Sequence, residues 1–160
     1  MSLMKFAPQG GKAQKPLGDP WVILIADDEK SVHVVTEMVL QGVTFEDRPL
    51  KLLSAYSALE TIEILGKEKD VAIVLLDVVM ENWNAGLDIV PVIRNHLGNR
   101  DVRIIIRTGQ SGRSTVSEVI KEYDINDFRE KVKLDQGALI DIIILTLRDY
   151  RDIKRARKSR

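Results

Sequence analysis

From Trp21 onward the chain alternates short, continuously apolar runs with stretches whose apolar residues recur every three or four positions. The runs WVILIA (21–26), LKLLSA (50–55), VAIVLL (71–76) and VRIIIR (102–107) predict strands, and DINDFR (124–129) predicts a weaker fifth. Most of them lack a polar alternate, so both faces of their sheet should be covered. The intervening stretches predict five helices. The first follows Ser31 and carries Val32, Val35 and Val39; the second starts at Ser57, carries Leu59, Ile62 and Leu65, and ends at Gly66. The third runs from Gly86 to about Leu97, the fourth lies between Gly112 and Tyr123, and the last begins near Asp135 and continues past Ile153. Such alternation builds βαβ units, so the fold class is α/β: a three-layer (βα)5 doubly wound parallel sheet. The loop around FEDRP (45–49) is longer than a tight connection requires and predicts an extension at the start of the second strand.

Composition narrows the function. The chain has 160 residues with 24 basic and 24 acidic side chains, so no net charge points to nucleic acid or an anionic membrane as the main partner. It has no cysteine, which removes disulfides and thiolate metal sites and fits a cytoplasmic location. No apolar run approaches the roughly 20 residues that span a bilayer, and the start lacks the apolar segment of a signal peptide. Residues 1–19, rich in Pro, Gly and Lys, predict a flexible arm ahead of a domain over 20–150. Residues 151–160 predict a basic helical extension or a linker to an effector domain beyond this chain; a solvated helix explains their charge better than nucleic-acid contact.

One aspartate, Asp77, follows directly on the most apolar run. In a doubly wound sheet, ligands sit beyond the carboxyl ends of the strands where strand order reverses. The first strand exits there into Asp27, Asp28 and Glu29, and the third into Asp77, so several carboxylates converge on one crevice. Such a cluster needs a compensating cation, and an all-oxygen, histidine-poor set suits Mg²⁺. The fourth strand exits into Thr108 and the fifth leads to Lys131. A hydroxyl donor, a compact ammonium and a metal would together neutralise the oxygens of a transferring phosphoryl group, with Asp77 as the attacking carboxylate.

The segments ILIADDE, LLDVVM, NAGLDIV, IIIRTGQ and NDFREK, in this order across about 21–150, resemble the signature regions of bacterial response regulator receiver domains. The resemblance implies that Asp77 accepts phosphate from the phosphohistidine of a sensor histidine kinase or phosphotransfer protein. It implies Asp28 as a direct Mg²⁺ ligand, Asp27 as one acting largely through water, and the Val79 carbonyl as a further ligand. Thr108 and Lys131 would hold phosphoryl oxygens, and Phe128 falls where receivers carry an aromatic switch residue. It further implies a flavodoxin-like sheet with strand order 2-1-3-4-5, and a domain that is a phosphoacceptor, not an enzyme in its own right. RTGQ, YDINDF and Lys131-Val132 also resemble receivers that head larger proteins with cyclic-dinucleotide phosphodiesterase or cyclase modules.

The sequence departs from the family pattern at three places. Val132 stands where receivers usually have a cis-proline, which predicts a trans bond, since a cis bond to a non-proline residue costs roughly 2.5–4 kcal/mol. Glu81 stands where proline is frequent, and Arg107 replaces a residue that is usually apolar. His33 and His96 lack partners at ligand spacing and read as structural or solvated, and Trp83 as a loop contact. Two rival functions fit the sequence less well. A haloacid-dehalogenase-type phosphatase needs a second aspartate two residues after its nucleophile, and that position is Val79. A pseudo-receiver that only binds a partner conflicts with the intact set of acids, threonine and lysine. Finally, Leu139, Ile140, Ile142, Ile143, Ile144, Leu145 and Leu147 spread over more than half the circumference of the last helix. One sheet cannot bury all of them, which favours a homodimer through this helix.

Overall fold

The computed structural model describes residues 18–80, 84–109, 116–131 and 135–159. The expected flexible arm, except residues 18 and 19, and the positions of Glu81, Trp83 and the Lys131–Val132 bond therefore lie outside the described residues. Six strands form one sheet: β1 (Trp21–Ala26), β2 (Thr44–Phe45), β3 (Arg48–Ala55), β4 (Val71–Leu76), β5 (Arg103–Thr108) and β6 (Asp127–Glu130). Their order is β2-β3-β1-β4-β5-β6, parallel throughout except for β2. Without β2 this is the expected 2-1-3-4-5 arrangement. The helices are α1 (Lys30–Leu40), α2 (Ala58–Lys67), α3 (Ala85–Pro91), α4 (Val116–Glu122) and α5 (Gln136–Lys158). No helix among the described residues is long and apolar enough to cross a membrane.

Burial follows the apolar runs. β4 is buried along its whole length, because α1 and α5 cover one face of the sheet and α2, α3 and α4 the other. Local chemistry sets the helix ends. Ser57 caps α2 by accepting from Glu60 N at 3.1 Å, and Asp135 caps α5 by accepting from Ala138 N at 2.8 Å. The third helix departs from the expected single span: after Pro91, residues Val92–His96 form a π-helical turn. Proline has no amide hydrogen to donate and its ring crowds the preceding turn, so the ladder resumes one residue wider, with Leu97 N on Val92 O at 2.9 Å.

The extension expected near FEDRP is an antiparallel hairpin, β2 to β3. Glu46 and Asp47 turn its corner with φ of 53° and 59°, the left-handed region that a two-residue hairpin turn requires. The hairpin docks through Trp21, whose indole nitrogen donates to Phe45 O at 2.9 Å while the Arg48 guanidinium lies 3.5 Å over its ring. An L-residue in that turn conformation is strained, so Asp47→Gly should stabilise the protein by about 1 kcal/mol, read as a higher urea midpoint at unchanged slope. An unchanged or lower midpoint would contradict the strain.

On α5, Leu139, Ile142, Ile143 and Leu147 are buried. Ile140 and Ile144, counted above among the excess apolar residues, pack partly buried against the same core, leaving Leu145 exposed at 58%. The sheet face therefore absorbs more of this helix than its sequence implied, because α5 packs on β4 and is flanked by α1.

Candidate functional site

The acid cluster forms because parallel strands end in step. Asp77 N donates to Ala26 O at 2.9 Å, and Asp27 N donates to Ala55 O at 3.1 Å, so the ladder runs one residue past β1 and β4 and brings their exits side by side. Asp27 and Asp77 are buried and Asp28 is exposed. One carboxylate oxygen from each of the three lies within 4.8 Å of the others. Lys131, directly after β6, reaches across the crevice: its Nζ is 2.7 Å from Asp27 Oδ2, 3.5 Å from Asp77 Oδ2 and 3.3 Å from Glu29 Oε1. Thr108 is buried at the carboxyl end of β5. Phe128, on β6, packs partly buried against the core beneath α2, α3 and α4.

Electrostatics single out Asp77. Burial, reinforced by the charge of Asp27, raises its pKa from 3.8 to about 6; Lys131 and the Val79 amide, which donates to Oδ1 at 3.3 Å, oppose the rise. Burial pulls the Lys131 ammonium down, but its hydrogen bond to Asp27 and the charges of Asp77 and Asp27 outweigh this and leave it raised. Lys131 thus stays cationic while one buried carboxylate is held near the point of protonation. The oxygens of Asp27, Asp28 and Asp77 suit a hard divalent ion, because no sulfur or imidazole ligand competes in the set.

Two positions support this cluster although sequence reasoning gave them no role in it. His33 is buried, with Nε2 2.7 Å from the Asp27 carbonyl and Nδ1 2.8 Å from Ser54 Oγ. A carbonyl only accepts, so Nε2 donates and, in the neutral ring, Nδ1 accepts from Ser54. The structural reading of His33 is correct, and what it holds is the backbone of the acid loop. Its spacing from Asp27, one helical turn beyond the loop, was the available signal. Gly86 is the second. Its amide donates to Val78 O at 2.9 Å, and a Cβ there would lie 1.9 Å from the Asp77 carbonyl oxygen. Arg107 is buried on the α1 and α5 side of the sheet, close enough to Asp27 and Asp77 to feel both charges. His96 is exposed at the end of the π turn.

Comparison with known proteins agrees with this geometry. Residues 23–153 match the family model of the response regulator receiver domain. The chain is 44% identical over 135 residues to 3′3′-cGAMP-specific phosphodiesterase 2 of Vibrio cholerae, covering 84% of this chain but 26% of that protein. Among solved structures, the signal receiver domain of an HD domain-containing protein from Pseudomonas fluorescens Pf-5 matches with a TM-score of 0.65 at 17% identity, covering 86% of this chain and 98% of that one. A CheY-like receiver domain protein from Methanospirillum hungatei matches with a TM-score of 0.65 at 18% identity, covering 83% and 98%. At such identities the structural matches speak for the fold alone.

Proposed function

The chain belongs to the response regulator receiver domain family, and from that premise we propose that Asp77 is its phosphoacceptor, loaded from the phosphohistidine of a sensor kinase or phosphotransfer protein. The supporting observation is the bridge that Lys131 makes between Asp27 and Asp77 beside the exposed Asp28. Asp28 and Asp77, with Asp27 through water and the Val79 carbonyl, would hold Mg²⁺. When bound, the ion supplies charge that offsets the phosphoryl oxygens. The chain's own groups do the rest. A carboxylate oxygen of Asp77 attacks phosphorus, the new P–O bond forms as the P–N bond to the donor imidazole breaks, and the electron pair stays on the imidazole nitrogen. Lys131 pairs with one phosphoryl oxygen, and the Thr108 hydroxyl donates to another. Phe128, between Thr108 and the lysine loop, carries the change outward.

This is a signalling domain, and its acceptor role needs no turnover. The phosphatase alternative is disfavoured at Val79, which offers Asp77 only an amide and no carboxyl to act as acid and base. The Vibrio cholerae relative is a far longer phosphodiesterase, which supports an effector domain joined to this chain in the full protein. A homodimer through α5, covering the exposed Leu145, belongs to the same reading.

The test is incorporation of phosphate from acetyl phosphate with Mg²⁺, mapped by mass to the peptide that contains Asp77; label on any other residue would refute the assignment. Asp28→Ala should weaken Mg²⁺ binding at least about tenfold by calorimetry, since it removes a charged ligand from a site of few carboxylates. It should slow labelling in parallel. Unchanged Mg²⁺ affinity would leave Asp28 an ordinary loop acid.

A further inference from the structure

A second cavity, of about 390 Å³, opens between α1 and α5 on the side of the sheet away from Thr108. Its lining is mainly apolar and includes Val32, Val35, Val39 and Leu139, together with the cations Arg107 and Lys131. Arg107 is 6% exposed, and its buried Nη2 has no hydrogen-bond partner among the described residues. A guanidinium nitrogen removed from water without a partner is costly, and a cation in the wall of a mainly apolar cleft is complementary to an anion with an apolar body. Asp27 and Asp77 compensate the charge of Arg107 at a distance but leave Nη2 without an acceptor. The acid in the lining, Asp135, is held at the N-terminus of α5 by Ala138 N.

We propose that this cavity binds a small amphiphilic monoanion, an aliphatic or aromatic carboxylate whose head group pairs with the Arg107 guanidinium that lines it and whose apolar body lies between Val32, Val35, Val39 and Leu139. The volume falls within the range of small-ligand pockets, roughly 300–1,000 Å³. The site is separate from the acid cluster but shares Lys131 with it, so the two sites meet at one side chain. It does not rest on the phosphoacceptor assignment, since the unpartnered nitrogen and the apolar walls are there whichever residue is phosphorylated.

Octanoate and 1-octanol serve as probes, titrated into methyl-labelled protein in EDTA-containing buffer so that no metal bridges the anion to the acids. The expected result is saturable one-to-one binding of octanoate, with shifts concentrated at the methyls of Val32, Val35, Val39 and Leu139. Its affinity should exceed that of 1-octanol by at least about tenfold, the scale of one hydrogen bond to a charged group. Arg107→Met should bring octanoate down to the level of 1-octanol while leaving 1-octanol unchanged. Should Arg107→Met fail to fold, Val35→Glu is the second variant; Val35 is 56% exposed, so this change spares the core, and it should weaken octanoate more than 1-octanol. Equal binding of the two probes, shifts centred elsewhere, or octanoate selectivity that survives both substitutions would overturn the proposal.

Discussion

Asp77→Asn should end labelling by acetyl phosphate altogether, and in the absence of divalent ions it should make the protein more stable. Both effects follow from one buried carboxyl. The amide has no anionic oxygen to attack phosphorus, and no other acid in the cluster combines burial with the position between Asp27, Lys131 and the Val79 amide. The stability effect has a definite sign. The folded-state pKa of Asp77 is raised from 3.8 to about 6, so its protonated form is the one that folding favours. Its favourable contribution is therefore fully present below pH 3.8 and is lost as pH rises through about 6. At neutral pH the ionised group costs the fold on the order of 3 kcal/mol. Asparagine does not carry that charge, while its side-chain oxygen can still accept from Val79 N. Melting curves in EDTA should show the variant higher by roughly 6–10 °C at pH 7 and level with the parent near pH 3.5. A variant that melts lower at pH 7 would mean that Lys131 already stabilises the carboxylate more than burial opposes it.

The same residues show how far a chain can be read before it is folded. The strands and the converging acids were legible because both depend on short-range pattern. A short, β-branched apolar run between helix-period stretches reads as an interior strand of a covered sheet, and a parallel sheet then places every strand exit on one edge. The face of α1 was not legible. Val32, Val35 and Val39 at helical spacing implied an apolar stripe, yet Val35 is exposed and Val32 and Val39 are only half-buried, while His33 and Thr36 are buried. The helix crosses the sheet where strands end and free carbonyls need donors, so His33 turns inward to Asp27 O; Thr36 satisfies itself on Val32 O within the helix. Hydrophobic periodicity assumes a uniformly apolar neighbour, and that assumption fails at a functional edge. Leu59, also predicted to face inward, is 68% exposed on α2, where Thr61 and Leu65 form the buried side. The hairpin between β2 and β3 was visible only as excess length, because Glu46 and Asp47 are not the residues that usually mark a left-handed turn.

Gly86→Ala should be the most disruptive single methyl group in the protein. In most helices this change is favourable by about 1 kcal/mol, since alanine loses less backbone entropy. Here the added Cβ would stand 1.9 Å from the carbonyl oxygen of Asp77 and 2.9 Å from Val78 Cα, both backbone atoms. Neither can swing aside as a side chain would. Asp77 N is held to Ala26 O, and Val78 O is held to Gly86 itself, so relief requires moving α3 away from the sheet or the acceptor loop away from Lys131. Overpacking against fixed backbone costs about 3 kcal/mol or more, which exceeds the propensity gain. A net loss of about 2 kcal/mol should lower the melting midpoint by roughly 4–8 °C. The two ways of relieving the clash have different signatures. If α3 retreats, stability falls while Asp77 is still labelled at near the parental rate. If the loop retreats, the Asp77 carboxylate leaves the reach of Lys131, and labelling falls even at temperatures where the variant is fully folded. The second outcome is expected, because α3 is pinned by four buried apolar side chains, Ala85, Leu87, Ile89 and Val90, against two in the loop, Val78 and Met80. A Gly86→Ala protein that melts and labels like its parent would show that the close approach of α3 to the Asp77 carbonyl has no part in holding the acceptor.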